Sequence, residues 1–163
     1  MYGKAEVLAL LEGEGVAYEL VEHGAVFTME GMRALALPFE SDVAKNLFVR
    51  DDKKRAYYLV ALDGARQVPL KELRALLGSR PLSFASEADL AAKLGLVPGE
   101  VTPLGALNDE ARTVEVIIDA AFEARGRIAV HPCDNTATLC LATADLIALL
   151  RAHGTPVRIV EFG

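Results

Sequence analysis

Tryptophan is absent from this 163-residue chain, and aromatic residues make up only 6% of it. That scarcity excludes an extended aromatic platform on which many bases could stack. Positive charge is also short, with 17 Lys and Arg against 23 Asp and Glu, a formal net charge of −6. A general nucleic-acid coat protein or a DNA-binding role fits that balance poorly, although a small basic patch could still meet an RNA end. The two cysteines, Cys133 and Cys140, form no C-x-x-C pair, and together with His131 they match no standard zinc spacing, so no metal is expected. No apolar run approaches the roughly 18 residues that cross a bilayer. No signal-peptide pattern follows Met1. The expectation is a cytoplasmic protein with free thiols and no membrane partner. G-x-G-x-x-G, Walker A, G-x-S-x-G and H-E-x-x-H sequences are all missing. Their absence disfavours a doubly wound nucleotide-binding fold and the common serine-hydrolase and metalloprotease machinery, and no cofactor is expected.

What is present is an ordinary globular composition, 52% hydrophobic and 25% charged, of a length that suits one domain over residues 1–163. Helices are expected over residues 3–14, near 29–36, from Pro69 to Leu77, from Ser86 to Leu94, and from a Thr143 cap through Leu150. Alternating or β-branched stretches mark strands at Val16–Glu22, Ala44–Arg50, Tyr57–Leu62, Ser83–Ala85, Thr113–Asp119, Arg127–Val130, Thr136–Leu141 and Val157–Phe162. Residues 104–109 read as loop. The irregular order, with a hairpin in the middle, predicts an α+β fold with a mixed sheet.

The chain is organised around Ala44–Arg50. Alternation puts Lys45 on the face of Leu47 and Val49, and Asn46 on the face of Phe48 and Arg50. A lysine on such a face either snorkels to water from a strand end or serves an anion or a cavity. The following charged block, Arg50 to Arg55, is either a solvated hairpin tip or a basic patch in which Arg50, Lys53, Lys54 and Arg55 contact RNA. Gly99 to Pro103 forms a G-x-x-x-P loop; it is either a plain turn or a rigid loop whose N–H groups suit an ester carbonyl or a carboxylate. His131 could act as a general base or be structural, and Cys133 could be a nucleophile or a small buried hydrophobe. Lysine, asparagine, a glycine-proline loop and a hydroxyl-rich strand are positioning and electrostatic groups, suited to hydrolysing an already activated ester.

Three segments, KNLFVRDDKKRAYYLVALDG (45–64), LSFASEADLAAKLGLVPGEVTPLGALND (82–109) and HPCDNTATLCLATADL (131–146), resemble the YbaK-type prolyl-tRNA synthetase-associated editing domain family. Within it the chain is most similar to the free-standing PrdX or ProXp-ala type Ala-tRNA(Pro) deacylases. The resemblance runs from about Tyr18 to Val160. It implies a compact α+β domain around a mixed, partly barrelled sheet of about six to seven strands, and hydrolysis of the ester that joins a wrong amino acid to tRNA. It further implies Lys45 as the functionally required lysine with Asn46 beside it. Gly99, Thr102 and Pro103 would lie near the aminoacyl group, with His131, Asn135 and Thr136 in further substrate-binding motifs. Val26 and Phe27 would set an amino-acid sieve. Val43-Ala44 and Gly24-Ala25 depart from the family's usual Thr before the lysine and Pro-Pro before Val-Phe-Thr, which bears on amino-acid choice.

The partners so implied are aminoacyl-tRNA, through the tRNA(Pro) 3′ end and acceptor stem, and prolyl-tRNA synthetase. Competing expectations are a deacylase for Cys-, Ser- or Thr-charged tRNA, a non-catalytic tRNA- or synthetase-binding module of the same fold, and a small-molecule binding protein.

Overall fold

β-Branched and apolar residues dominate the central strands, and they build two separate sheets. The computed structural model describes residues 1–162. In chain order these are α1 (Lys4–Gly13), β1 (Tyr18–Glu22), α2 (Met29–Ala34), β2 (Ala44–Asp51), β3 (Tyr57–Asp63), α3 (Leu70–Leu77), β4 (Leu82–Phe84) and α4 (Glu87–Leu94). There follow β5 (Val114–Asp119), α5 (Ala120–Arg125), β6 (Arg127–Val130), β7 (Ala137–Ala142), α6 (Thr143–His153) and β8 (Val157–Val160). Two 3-10 turns, Glu40–Asp42 and Pro103–Asn108, complete the set.

The larger sheet has the order β4-β2-β3-β5-β8 and the smaller one β1-β7-β6. β2 pairs antiparallel with β3 and β4, whereas β3–β5 and β5–β8 are parallel, so the large sheet is mixed. A single parallel bridge, Val43 to Ala129, joins the sheets. The eight described strands therefore do not close into the partly barrelled sheet of six to seven strands that was expected; the chain folds as a two-sheet α+β domain.

The alternation along β2 works as anticipated. Ala44 and Phe48 enter the main core with Leu59, Ala61, Val116 and Ile118, between the two sheets and beneath α1, α4 and α6. Val49 faces the other way, with Val60, Leu62 and the α3 residues Leu73 and Leu77. A third cluster of Met32, Leu37, Phe39, Val43, Ala129 and Cys140 underlies α2, where the sheets meet. Burial on both faces explains why β3 reads as one apolar run.

Local chemistry sets most helix ends. Thr28 Oγ1 accepts from Gly31 N at 3.0 Å to start α2, and Ser86 and Asp89 form a reciprocal capping box on α4. The expected Thr143 cap is corrected: Ala142 holds the cap position, and the Thr143 hydroxyl donates to Phe122 O at 2.8 Å inside the protein. Residues 103–108 are a mostly buried 3-10 turn rather than a loop. α5 has no sequence forecast; Asp119 starts it, accepting from Ala121 N at 2.9 Å.

Candidate functional site

A cavity of about 180 Å³ opens where the start of β2, the segment before α2, the Gly99 loop and the end of β6 converge. Its wall includes Val26, Phe27, Lys45, Asn46, Gly99 and His131, six residues singled out in the sequence, from four separate segments. Met32, Val43, Ala129 and Val130 add apolar surface. No Asp or Glu lines it among the described residues. The volume is below the usual range of drug-sized sites and suits a small group.

Lys45 is the fixed cation of this wall. It is half-buried at the start of β2, and its Nζ donates to Arg66 O at 3.3 Å. That long contact leaves two of the ammonium's three donors for a ligand. Arg66 is itself anchored: its Nε donates to Asp119 Oδ2 and its Nη1 to Phe162 O, each at 2.6 Å. Asp119 is fully buried and also accepts from Asp63 N at 2.9 Å. A buried carboxylate thus positions the carbonyl that receives Lys45. Beside Lys45, Asn46 Oδ1 is buried with no hydrogen-bond partner among the described residues.

Opposite stands the Gly99 loop. Gly99 has φ +90°, a conformation that a side chain resists. A Cβ there would lie 2.6 Å from Phe27 Cδ1, so the ring needs the bare Cα. Among the described residues, no hydrogen bond within the protein takes up the N–H of Gly99 or Val101. Thr102 and Pro103 are buried beneath the loop, outside the cavity wall, and Thr102 Oγ1 accepts from Leu104 N at 3.3 Å. Glu100 braces the loop by accepting from Val97 N at 3.2 Å.

His131 completes the site. Its Nδ1 lies 2.7 Å from Ala137 O, a carbonyl that can only accept, so Nδ1 carries the proton and Nε2 keeps a lone pair. The same logic applies to His23, whose Nδ1 donates to Gly24 O and whose Nε2 accepts from Thr138 Oγ1, each at 2.8 Å. Thr138 Oγ1 stands 3.4 Å from His131 Nδ1 and links the two rings. Burial pushes the His131 imidazole below its ordinary value; the adjacent His23 adds to this, while the Ala137 contact and the charge of Asp134 oppose it. A neutral imidazole that can accept therefore faces neutral solution.

Asn135 and Thr136 shape the site without lining it. Asn135 is buried, and its Nδ2 donates to Val26 O at 3.2 Å, tying the wall segment to the turn before β7. Thr136 N donates to Asp134 Oδ1 at 2.8 Å, and Thr136 O accepts from His23 N. Cys133 is buried, and burial lifts its thiol to about 12, an environment that suits a small buried hydrophobe better than a nucleophile.

The RNA-contact candidates lie elsewhere. Lys53, Lys54 and Arg55 are exposed at the hairpin tip, roughly 20 Å along β2 from Lys45 at about 3.3 Å per residue. Arg50 is already occupied, with Nη1 donating to Asp51 O at 3.1 Å and Nε 3.6 Å from Asp89. A larger cavity of about 300 Å³ sits on the other side of α2 and shares Met29, Met32 and Val43 with the first. Its Arg125 pairs with Asp42 and Asp63, and it lacks Lys45 and Asn46.

Thr138, part of the hydroxyl-rich Asn135–Thr138 run, lines the cavity as well, whereas His23 and Arg66 escaped the sequence reading. Each acts through a partner far along the chain, and no local pattern marks them.

With this geometry in hand, comparison with known proteins is decisive. The aminoacyl-tRNA editing domain family matches residues 23–149. The chain belongs to that family. The prolyl-tRNA editing protein ProX of Acetoanaerobium sticklandii is 41% identical over 161 residues, covering 99% of this chain and 98% of its own. The prolyl-tRNA synthetase associated domain-containing protein 1 of Mus musculus is 34% identical, covering 98% of this chain and 96% of its own. A solved structure described provisionally as a trans-editing enzyme for prolyl tRNA synthetase superposes with a TM-score of 0.71 at 21% identity, covering 100% of this chain and 99% of that one. The hypothetical protein APE2540 gives the same TM-score and identity, covering 97% and 99%. These two structures attest the fold. The editing-domain match spans every segment that lines the 180 Å³ cavity.

Proposed function

We propose that this protein is an aminoacyl-tRNA deacylase that acts in trans, hydrolysing the ester of a misacylated tRNA, with Ala-tRNA(Pro) its principal substrate. The observation that carries this is the small cavity of an editing-domain fold to which Lys45, Gly99 and His131 converge from separate segments. Likeness to a prolyl-tRNA editing protein over nearly the full length of both chains supports the choice of tRNA(Pro). A synthetase pocket sized for proline discriminates against a smaller side chain by only about 1–3 kcal/mol. A second chamber that admits alanine and rejects proline supplies the rest, and the walls of Val26, Met32, Val43, Ala129 and Val130 are suited to that task.

In the mechanism we favour, the Lys45 ammonium holds the terminal phosphate or ribose and fixes the ester against the loop. The N–H groups of Gly99 and Val101 donate to the oxyanion as water adds to the ester carbonyl, and the tRNA 3′-oxygen leaves as a hydroxyl, taking up the proton that the water gives up. The substrate's 2′-OH orients that water. Asn46 Oδ1 and His131 Nε2 are the neutral acceptors for the substrate's α-ammonium. Asn135 and Thr136 hold the wall, while Thr102 and Pro103 hold the loop. Lys53, Lys54 and Arg55 meet phosphates of the acceptor stem, at a reach matching the single-stranded 3′ end; Arg50 stiffens that hairpin. The protein works in the cytoplasm, alone or docked on prolyl-tRNA synthetase.

A panel of tRNAs charged with Ala, Pro, Cys, Ser and Thr, followed in single turnover, tests this. Ala-tRNA(Pro) should be cleaved fastest and Pro-tRNA(Pro) spared. A preference for a Cys-, Ser- or Thr-charged species would reassign the substrate. Binding without cleavage of any member would leave only a tRNA-binding module.

A further inference from the structure

Phe27 is 70% exposed in a chain with few aromatic residues. Its neighbours are pinned. Val26 N donates to Asn135 O at 3.4 Å and Val26 O accepts from Asn135 Nδ2 at 3.2 Å, while Thr28 caps α2. The ring rests on Gly99, where an added Cβ would meet Cδ1 at 2.6 Å and Cε1 at 3.3 Å. The Cδ1–Cε1 edge of the ring therefore rests against a bare Cα, and the exposure leaves much of the ring open to solvent. A large aromatic group exposed beside the cavity forgoes the gain of burial and offers its surface to a ligand. Phe27 lines the cavity, and its exposure puts it on the side of that wall open to solvent.

The ester of an aminoacyl-tRNA is attached to the ribose that also bears the terminal adenine. With the aminoacyl group in the cavity, that ribose lies at the mouth and the base must come to rest on the rim. We infer that Phe27, seated on Gly99, is the stacking platform for the terminal adenine, an inference that rests on the deacylase reading above. The glycine of the G-x-x-x-P loop then has two tasks, offering its N–H to the ester and leaving room for the edge of the ring. Recognition divides accordingly: the rim reads the nucleoside common to every tRNA, and the chamber reads the amino acid. The exposed ring offers stacking, which any base accepts, so adenine is specified by being the base at that point of the substrate.

Two hydrolysis-resistant probes separate this from an amino-acid sieve: 3′-alanylamido-3′-deoxyadenosine and its counterpart lacking the base. In the wild type the base should tighten binding by about tenfold or more. Phe27→Ala and Phe27→Leu should abolish that gain, weakening the base-bearing probe far more than the base-free one, while Phe27→Trp should keep it. At an exposed position these variants are expected to fold, which circular dichroism checks. Survival of the gain in Phe27→Leu, or equal losses on both probes, would overturn the platform. Wild type that shows no gain from the base yet cleaves Ala-tRNA(Pro) would overturn the platform alone. Wild type that shows the gain but cleaves no charged tRNA would sustain the platform and overturn the deacylase reading.

Discussion

The two ends of the β2–β3 hairpin carry cations on the same pair of strands and use them differently. At the start of β2, Lys45 meets three other segments around a cavity, and its only described hydrogen-bond partner is the carbonyl of Arg66. At the far end, Arg50 is held by Asp51 and Asp89, and Asp52 is taken by Arg80 at 2.7 Å. Lys53, Lys54 and Arg55 stand in solvent. A cation becomes a site residue when other elements enclose the space in front of it. Charge density along the sequence, which is highest at the tip, carries no such information.

The largest effect should come from the enclosed end. Lys45→Ala should slow single-turnover deacylation of Ala-tRNA(Pro) by about 100-fold or more, with little loss of stability because the side chain is half-exposed. Loss at the tip equal to loss at Lys45 would erase the contrast between the two ends. Gly99→Ala comes next. It forces a side chain onto φ +90° and into the Phe27 ring, so melting should report a loss of about 1–2 kcal/mol and deacylation should fall by roughly tenfold or more.

His131 sharpens the contrast through pH. Its imidazole value is depressed by burial, so the neutral acceptor persists below the ordinary value near 6.5. The acid limb of the rate profile should therefore fall below about pH 6.5. The same depression stabilises the fold above the unfolded value, and that contribution is lost as pH falls through the folded one. A limb at or above 6.5 that persists in His131→Gln would remove His131 from the site. The smallest effect belongs to the tip: Lys53→Ala with Lys54→Ala should weaken tRNA binding only a few-fold and reduce its salt slope by about two. An unchanged slope would make the tip a solvated turn.

Legibility in the sequence followed the same division. Lys45-Asn46 stood out because two polar residues interrupt an apolar strand, and Gly99 because a permissive residue sits beside Pro98. The caps of α2 and α4 were legible because capping is local. Thr143 misled, since a hydroxyl before a helix looks alike whether it caps the helix or bonds Phe122 O across the core. The His23–Thr138–His131 chain joins residues more than 100 positions apart, and the Lys45–Arg66–Asp119 chain depends on β3 and β5 lying side by side. Neither can be read before the strands are paired. Thr102 and Pro103 share the motif of Gly99 yet serve the core, because only one end of that loop reaches the cavity.

Single-turnover hydrolysis of Ala-tRNA(Pro) and Pro-tRNA(Pro), side by side with the wild-type protein, tests the central claim most directly. Rapid loss of alanine with proline retained is the predicted result. Equal cleavage of both, or release no faster than the uncatalysed ester, would contradict it.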